Sequence, residues 1–364
     1  MPRILAELFP WLVALHVLDG LAWVRGEQWL LVSSWGRRMR LREAGLRLAG
    51  LGPAAEAVST GRTPIALTDA GVYRPPRGSR LDAAEAELVP WAALGRLEVE
   101  QATVRAGGRR LAVAPTPAVA HATARLVREL CPLAPAARRA HLARAAEDAA
   151  DVQAVGAVRE RHLALARPLR VLAAALFGLL FVALPLALFA PAPWRPRLDL
   201  VLAAVAVTYA ATVAASVLTL RRCGRTAGAI AGTLAPLVLF PPAAIHALTL
   251  VGRDLYAPFH PLAVAAALLD RPAFAALARR EYHRMAGARA RATGTPLADW
   301  WTSEETIWRA VVAAVGLAPD DVLAPPPRAD AAAATYCPAC AAEYRDGFAL
   351  CGDCGVPLEA FETG

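Results

Sequence analysis

Two uninterrupted apolar runs constrain this chain more than any other feature: Val171 to Ala190 holds 20 residues without a charge, and Leu200 to Leu220 holds 21. A helix rising about 1.5 Å per residue needs about 20 apolar residues to cross the hydrocarbon of a bilayer. Neither run carries the polar face of an amphipathic soluble helix, so both are read as transmembrane helices. The short link between them, Pro191 to Asp199, permits only an antiparallel hairpin and places Trp194 at interfacial depth. Orientation follows from arginine placement. Arg159, Arg161, Arg167 and Arg170 precede the pair, Arg221, Arg222 and Arg225 follow it, and only Arg195 and Arg197 lie between. That asymmetry puts both flanks in the cytoplasm. Placement matters because abundance does not: the chain has no Lys and no Asn, so its 39 basic residues are all Arg, which reads as the coding bias of a GC-rich genome. The net charge of +8 admits an anionic partner, and only clustering of charge would choose one.

A third uncharged stretch, Thr226 to Gly252, is interrupted by Pro236, Pro241 and Pro242, which remove helix donors. It is read as a third span, a re-entrant hairpin or an interfacial segment. An even number of crossings keeps the C-terminal arginines and cysteines inside: two, or four if Leu255 to Leu269 completes a second hairpin. The N-terminal apolar segment, Ile4 to Val24, contains Glu7, His16 and Asp19 and lacks the basic start and small-residue cleavage site of a signal peptide. It is expected to be a helix packed on the next domain or lying on the membrane, with a span or uncleaved anchor as the alternative.

Between Glu27 and Cys131 the pattern changes to short alternating runs separated by Gly, Pro and charged residues, the signature of strands and turns. Strands are expected at Trp29 to Ser33, Arg38 to Leu41, Leu46 to Ala49, Ile65 to Thr68, Gly71 to Tyr73, Glu87 to Pro90, Leu97 to Val104 and Arg110 to Ala114. Gly107 and Gly108 supply a hairpin turn. A helix follows over Pro117 to Leu130, with Val119, Ala122, Leu126 and Leu130 along one stripe. The order of "ALTDAGVY", "LVPWAALGRLEVE", "LAVAP" and a closing helix resembles the bacterial pleckstrin-homology-like family over Thr63 to Cys131. That resemblance implies a bent sheet plugged by the helix and a binding or docking role. The same residues also fit a small β-rich domain in which Trp91 is simply core.

Residues 132–170 are Ala-rich and read as a helical connector delivering this domain to the membrane, with Arg138, Arg139 and Arg144 placed either for anionic headgroups or on a solvated face. Residues 253–318 read as a helical segment, with Pro261 to Ala292 forming one helix or two broken at Pro272, and a further helix starting near Thr302 or Ser303, where Thr302 and Glu305 fit a capping box. Trp301, Ile307, Trp308, Val311 and Val315 supply one packed face. Residues 319–335, with Pro325 to Pro327 and an alanine run, read as a linker.

The strongest chemical signal is Cys337-Pro-Ala-Cys340 and Cys351-Gly-Asp-Cys354, two knuckles separated by ten residues. Four thiolates supply a closed tetrahedral Zn²⁺ site, and Tyr344 to Phe348 offers a strand, an Asp-Gly turn and a strand to fold one knuckle onto the other. The segment "YCPACAAEYRDGFALCGDCGVPL" is similar to bacterial zinc ribbons, which implies Cys337, Cys340, Cys351 and Cys354 as ligands of a structural zinc. It departs at Ala341, where glycine is frequent. Thiolate ligands require a reducing compartment, in keeping with a cytoplasmic end. Cys131 and Cys223 are isolated and expected to be free thiols.

A chain without Lys excludes the Gly-x-x-x-x-Gly-Lys phosphate loop, and neither a Gly-x-Ser-x-Gly elbow nor a His-Glu-x-x-His helix occurs. His246 and His260 lie near the apolar stretches without a partner visible in sequence. Around the knuckles, Arg345 stands against Glu343, Asp346, Asp353, Glu359 and Glu362, which argues against nucleic acid. The expected fold is a multidomain α+β membrane protein: a small β-rich domain with a C-terminal helix, a transmembrane helical hairpin, a helical cytoplasmic segment and a zinc ribbon. The expected function is a non-enzymatic scaffold or regulator in a bacterial inner membrane. Its partners are the lipid bilayer and proteins docking on the β-rich domain and the ribbon. A membrane enzyme or transporter using 226–252, and a membrane-tethered nucleic-acid binder, are the alternatives.

Overall fold

The computed structural model describes residues 27–34, 37–44, 55–59, 65–74, 86–114, 117–194, 196–223, 225–228, 230–232, 234, 255–256 and 258–361. The segment 4–24, the strand expected at Leu46 to Ala49, the three prolines of 226–252 and His246 lie outside them. Strands β1 (Glu27–Ser34), β2 (Arg37–Ala44) and β3 (Ala55–Ser59) form one sheet in that order. The chain divides into two compact units, one of residues 1–30, 42–55 and 158–255, the other of residues 31–41, 56–157 and 256–364.

Ahead of its first helix the second unit contains two further small sheets. β4 (Ala66–Leu67), β5 (Gly71–Arg74) and β6 (Glu87–Pro90) pair antiparallel, with Val72 opposite both Leu67 and Val89. β7 (Leu97–Glu100), β8 (Thr103–Ala106) and β9 (Arg109–Val113) form the other, with a bulge between Val104 and Arg105. The single strand expected over Leu97 to Val104 is therefore two, because Gln101 turns the chain with φ 53°. Gly107 and Gly108 make the expected turn, at φ 53° and 78°, a conformation glycine reaches without steric cost.

Helix α1 (Pro117–Leu130) closes both sheets. Its buried stripe is Ala120, Ala124, Val127 and Leu130, turned from the expected one so that Ala122 is exposed. Small alanines on the inner face let the helix approach the strands closely. Ile65, Leu67, Val72, Trp91, Leu94, Val104 and Leu111 complete the core. Trp91, in a 3-10 turn Trp91–Ala93, donates its indole N–H to the Thr68 carbonyl at 3.0 Å.

Helix α2 (Pro135–Ala149) is tied to that core. The Arg138 guanidinium donates to the carbonyls of Leu130, Asp69 and Cys131 at 3.0 to 3.1 Å and lies 5.1 Å from the centre of the Trp91 ring. Arg139 pairs with the Asp69 carboxylate. These two arginines are thus committed to the β-rich domain rather than to headgroups. Asp151 then caps α3 (Val152–Gly178), accepting from Gln153 and Ala154 N–H.

In the same unit, α6 (Pro261–Leu268), α7 (Arg271–Arg291), α8 (Pro296–Ala314) and the short α9 (Pro319–Leu323) each begin with proline in the first turn, where its missing N–H leaves no bond unmade. Asp270 caps α7 by accepting from Ala273 N–H, so the break falls just before Pro272 as expected. The start expected for α8 is corrected: it begins at Pro296, and Thr302 and Ser303 lie inside it, donating to the Ala298 and Asp299 carbonyls one turn back. Mid-helix hydroxyls satisfied this way cap nothing. α7 and α8 run antiparallel; Trp308, fully buried, donates to the Ala278 carbonyl at 2.7 Å, and Phe274, Leu277, Val311 and Val312 of the same two helices are also buried. His260 caps α6 through Nδ1, which accepts from Leu262 N–H, a packing role.

In the first unit, α3 runs into a π turn at Leu179–Ala183, then α4 (Leu184–Phe189), a link and α5 (Leu198–Arg222). Contacts of Leu176 with Val205 and Tyr209, and of Leu169 with Ala215, make the two arms antiparallel. Among the described residues one helix is long and apolar enough to cross a membrane, α5, with mean hydropathy 2.1. The other expected span is divided at Leu179: Pro185 offers no N–H to the Phe181 carbonyl, and Leu184 N–H reaches back five residues to Leu179. On α5, Leu200, Leu202, Val207 and Leu218 are exposed while Thr212, Ser216 and Thr219 are buried. Hydroxyls of Thr212 and Ser216 donate to carbonyls four residues earlier.

Arg138→Ala removes three charge-assisted hydrogen bonds and the cover of the indole. It is expected to cost the second unit about 2 kcal/mol, measured as a lower denaturation midpoint of the Trp91 environment in near-ultraviolet circular dichroism.

Candidate metal centre

Two successive knuckles of the same geometry build the site. In each, the amide two residues into the loop and beyond points at the first sulfur: Cys340 N–H lies 3.4 Å from Cys337 Sγ, and Cys354 N–H 3.3 Å from Cys351 Sγ. The following residue turns back, Ala341 N–H to the Cys337 carbonyl and Gly355 N–H to the Cys351 carbonyl. It does so at positive φ, 62° for Ala341 and 65° for Gly355. Finally Cys337 N–H donates to the Ala342 carbonyl and Cys351 N–H to that of Val356. Each knuckle is therefore a closed hairpin turn in its own right.

That arrangement differs from the expected strand–turn–strand between the knuckles. β10 (Thr335–Tyr336) pairs with β11 (Glu343–Tyr344) across the first knuckle and with β12 (Glu359–Ala360) on its other side. Leu350 bridges Pro357 across the second knuckle. Asp346 and Gly347 do turn, with Gly347 at φ 100°. The preceding stretch is anchored rather than free: Arg279 donates to the Val322 and Ala324 carbonyls, and Glu343 accepts from Ala329 and Asp330 N–H.

The four sulfurs of Cys337, Cys340, Cys351 and Cys354 lie within 4.8 Å of one another, and Cys340 and Cys351 are 3.7 Å apart. A tetrahedral ion with metal–sulfur bonds of about 2.3 Å has sulfur–sulfur edges of about 3.8 Å. A disulfide needs about 2.05 Å, and all six cysteines are free thiols. The donor set fits a divalent ion held by four thiolates, for which zinc is the typical choice. Cys337 and Cys351 are buried, with Ala339, Val356 and Leu358 packed around the sulfurs.

Tyr344 is the contributor that spacing did not disclose. Its hydroxyl donates to Cys351 Sγ at 3.2 Å and accepts from Gly352 N–H at 3.1 Å. Burial pushes the Cys351 thiol up, but this hydroxyl and the N–H groups of Cys354 and Asp353 outweigh it and bring the thiol down to about 6. Burial pushes Cys337 up to about 11, and Cys354 also lies well above an ordinary thiol. Holding the Cys351 thiolate pushes Tyr344 up to about 12. Cys131 lies apart from this cluster, 3.7 Å from the Trp91 carbonyl.

The chain matches no protein-family model, no curated protein and no solved structure.

Ala341→Gly relieves a left-handed backbone and should stabilise the metal-loaded ribbon by about 1 kcal/mol, read as resistance to a chelator. Protons held by Cys337 and Cys354 at neutral pH must leave when a metal enters. Zinc affinity should therefore fall as pH drops from about 8 to about 6, with proton release on zinc titration measured by calorimetry in two buffers.

Proposed function

We propose that this chain is a non-enzymatic scaffold or regulatory protein of a bacterial inner membrane that holds docking modules at the cytoplasmic face. The mostly apolar outer surface of α5 carries this reading: Leu200, Leu202, Val207 and Leu218 face outward, while Thr212, Ser216 and Thr219 are buried, as are Val201 and Leu220. Lipid reverses the usual preference of a helix surface, favouring apolar exteriors and small or hydroxyl residues against neighbouring helices. Val171 to Ala190 forms the second crossing, its π turn accommodated within an unbroken helical path, and arginine placement keeps both flanks inside.

The four cysteines hold zinc as a structural ion. Four protein ligands leave no position for a substrate, and a ribbon whose named strands are two residues long derives much of its folding free energy from the metal. The domain closed by α1 is a pleckstrin-homology-like docking module; in support, α1 packs across two three-stranded antiparallel sheets. Proteins captured by this module and by the ribbon are the partners, and reduced thiolates suit a cytoplasmic position.

Reporters active on one side of the membrane, fused to each end, together with metal analysis of the purified chain, test the reading. Cytoplasmic signals from both ends and one zinc per chain are expected. An external C-terminus removes the even crossing number, and a metal-free native ribbon removes the structural role of zinc.

A further inference from the structure

The loop that joins the two knuckles, residues 345–350, is exposed along its whole length. Phe348 is 61% and Leu350 56% exposed, and outside the apolar arms, Val171 to Leu218, no large apolar side chain among the described residues is more so. Single exposed apolar residues are ordinary. An aromatic and an aliphatic side chain two positions apart on one loop make a knob that water solvates poorly.

The knob is held in place rather than loose. Gly347 turns the loop, with its N–H donating to the Asp346 carboxylate at 3.0 Å. The Phe348 ring lies 5.8 Å from that of Tyr344, whose hydroxyl is fixed between Cys351 Sγ and Gly352 N–H. The Ala349 carbonyl accepts from Leu358 N–H at 3.1 Å, and Leu350 bridges Pro357. Both ends of the loop therefore start from the metal-binding knuckles, so little ordering remains to be done when it docks.

Charge narrows what covers it. Residues 345–358 carry Asp346 and Asp353 against Arg345, and a divalent ion held by four thiolates adds further negative charge. An anionic lipid leaflet and the phosphates of nucleic acid both repel such a surface. Its complement is a protein cleft that is apolar at the base and edged by Arg or Lys. One Phe and one Leu are an anchor and not a whole interface, which suits reversible docking.

We propose that this loop docks a protein partner by inserting Phe348 and Leu350 into an apolar cleft with a basic edge. The inference rests on the ribbon being a zinc-loaded docking module, and it assigns the surface that module uses.

The test places p-benzoylphenylalanine at position 348 of the full chain in cells of its native host, with the same group at position 331, also exposed, as the control. Irradiation should join position 348 to one protein, at a segment that mass spectrometry shows to contain Arg or Lys. Once purified, that protein should bind the zinc-loaded chain in lipid nanodiscs, and Phe348→Ser or Leu350→Ser should weaken binding about thirtyfold. Raising salt from about 50 to about 300 mM should weaken it about threefold, and Arg345→Glu should tighten it about threefold. Adducts to lipid alone, to a second copy alone, or to nothing beyond the control overturn the proposal, as does binding indifferent to Phe348 and Leu350 or to salt. If Phe348→Ser releases zinc, Leu350→Ser and the salt series on the native chain decide. Cytoplasmic ends and bound zinc without an adduct refute this surface alone, whereas a metal-free or external ribbon refutes the reading beneath it.

Discussion

Trp91 and Arg138 form the interaction on which the second unit depends. The indole sits in the core between two small sheets and donates to the Thr68 carbonyl, while the guanidinium covers its face and binds three carbonyls, two at the end of α1 and one in the turn after β4. Neither sheet is long enough to organise a domain alone, since a few short strands with one apolar face need a partner surface. The side chains of α1 provide that surface, and Arg138 fixes the chain that leaves it. With α2 set against the Thr68–Asp69 turn, one wall of a cleft is in place, and α8 supplies the other.

The ribbon solves a different problem with different means. Its core is sulfur and a few small apolar side chains, too little to offset the ordering of a segment this size. Geometry is instead imposed locally, because each knuckle closes on its own backbone before the two meet. Positive φ after the second cysteine is the one demanding feature. Gly355 meets it without cost, and Ala341 does not. Tyr344 then couples the knuckles by donating to Cys351 from the strand that follows the first.

In the helical pair of the first unit, the sequence pattern and the packing agree on an unusual distribution of polarity. On α5, Leu200, Leu202, Val207 and Leu218 are exposed, while the hydroxyl residues Thr212, Ser216 and Thr219 are buried along with Val201 and Leu220. The π turn shows why a run of apolar residues does not specify a uniform helix. Pro185 withholds one donor, and the backbone widens for one turn rather than breaking.

The sequence by itself determined what local chemistry dictates. Cysteine spacing marked the four sulfurs that converge, the Gly107-Gly108 pair marked a hairpin, Pro272 marked the alternative of a break before α7, and a helix over about Pro117 to Leu130 was legible because Pro117 suits a first turn. Tertiary structure decided what depends on partners distant in the chain. Which stripe of α1 is buried follows from how closely alanine lets it approach two sheets. Thr302 and Ser303 sit inside α8 because the helix begins at Pro296, so a capping pattern without a chain end to cap carries no signal. Arg138, which periodicity would place on a solvated or lipid-facing surface, reaches the carbonyls of Leu130, Cys131 and Asp69, while Arg139 pairs with the Asp69 carboxylate at the surface. His260, isolated in sequence, meets Glu304 across 44 positions. Charge and hydrogen-bond partners are properties of proximity, and proximity between segments is fixed only when the core packs.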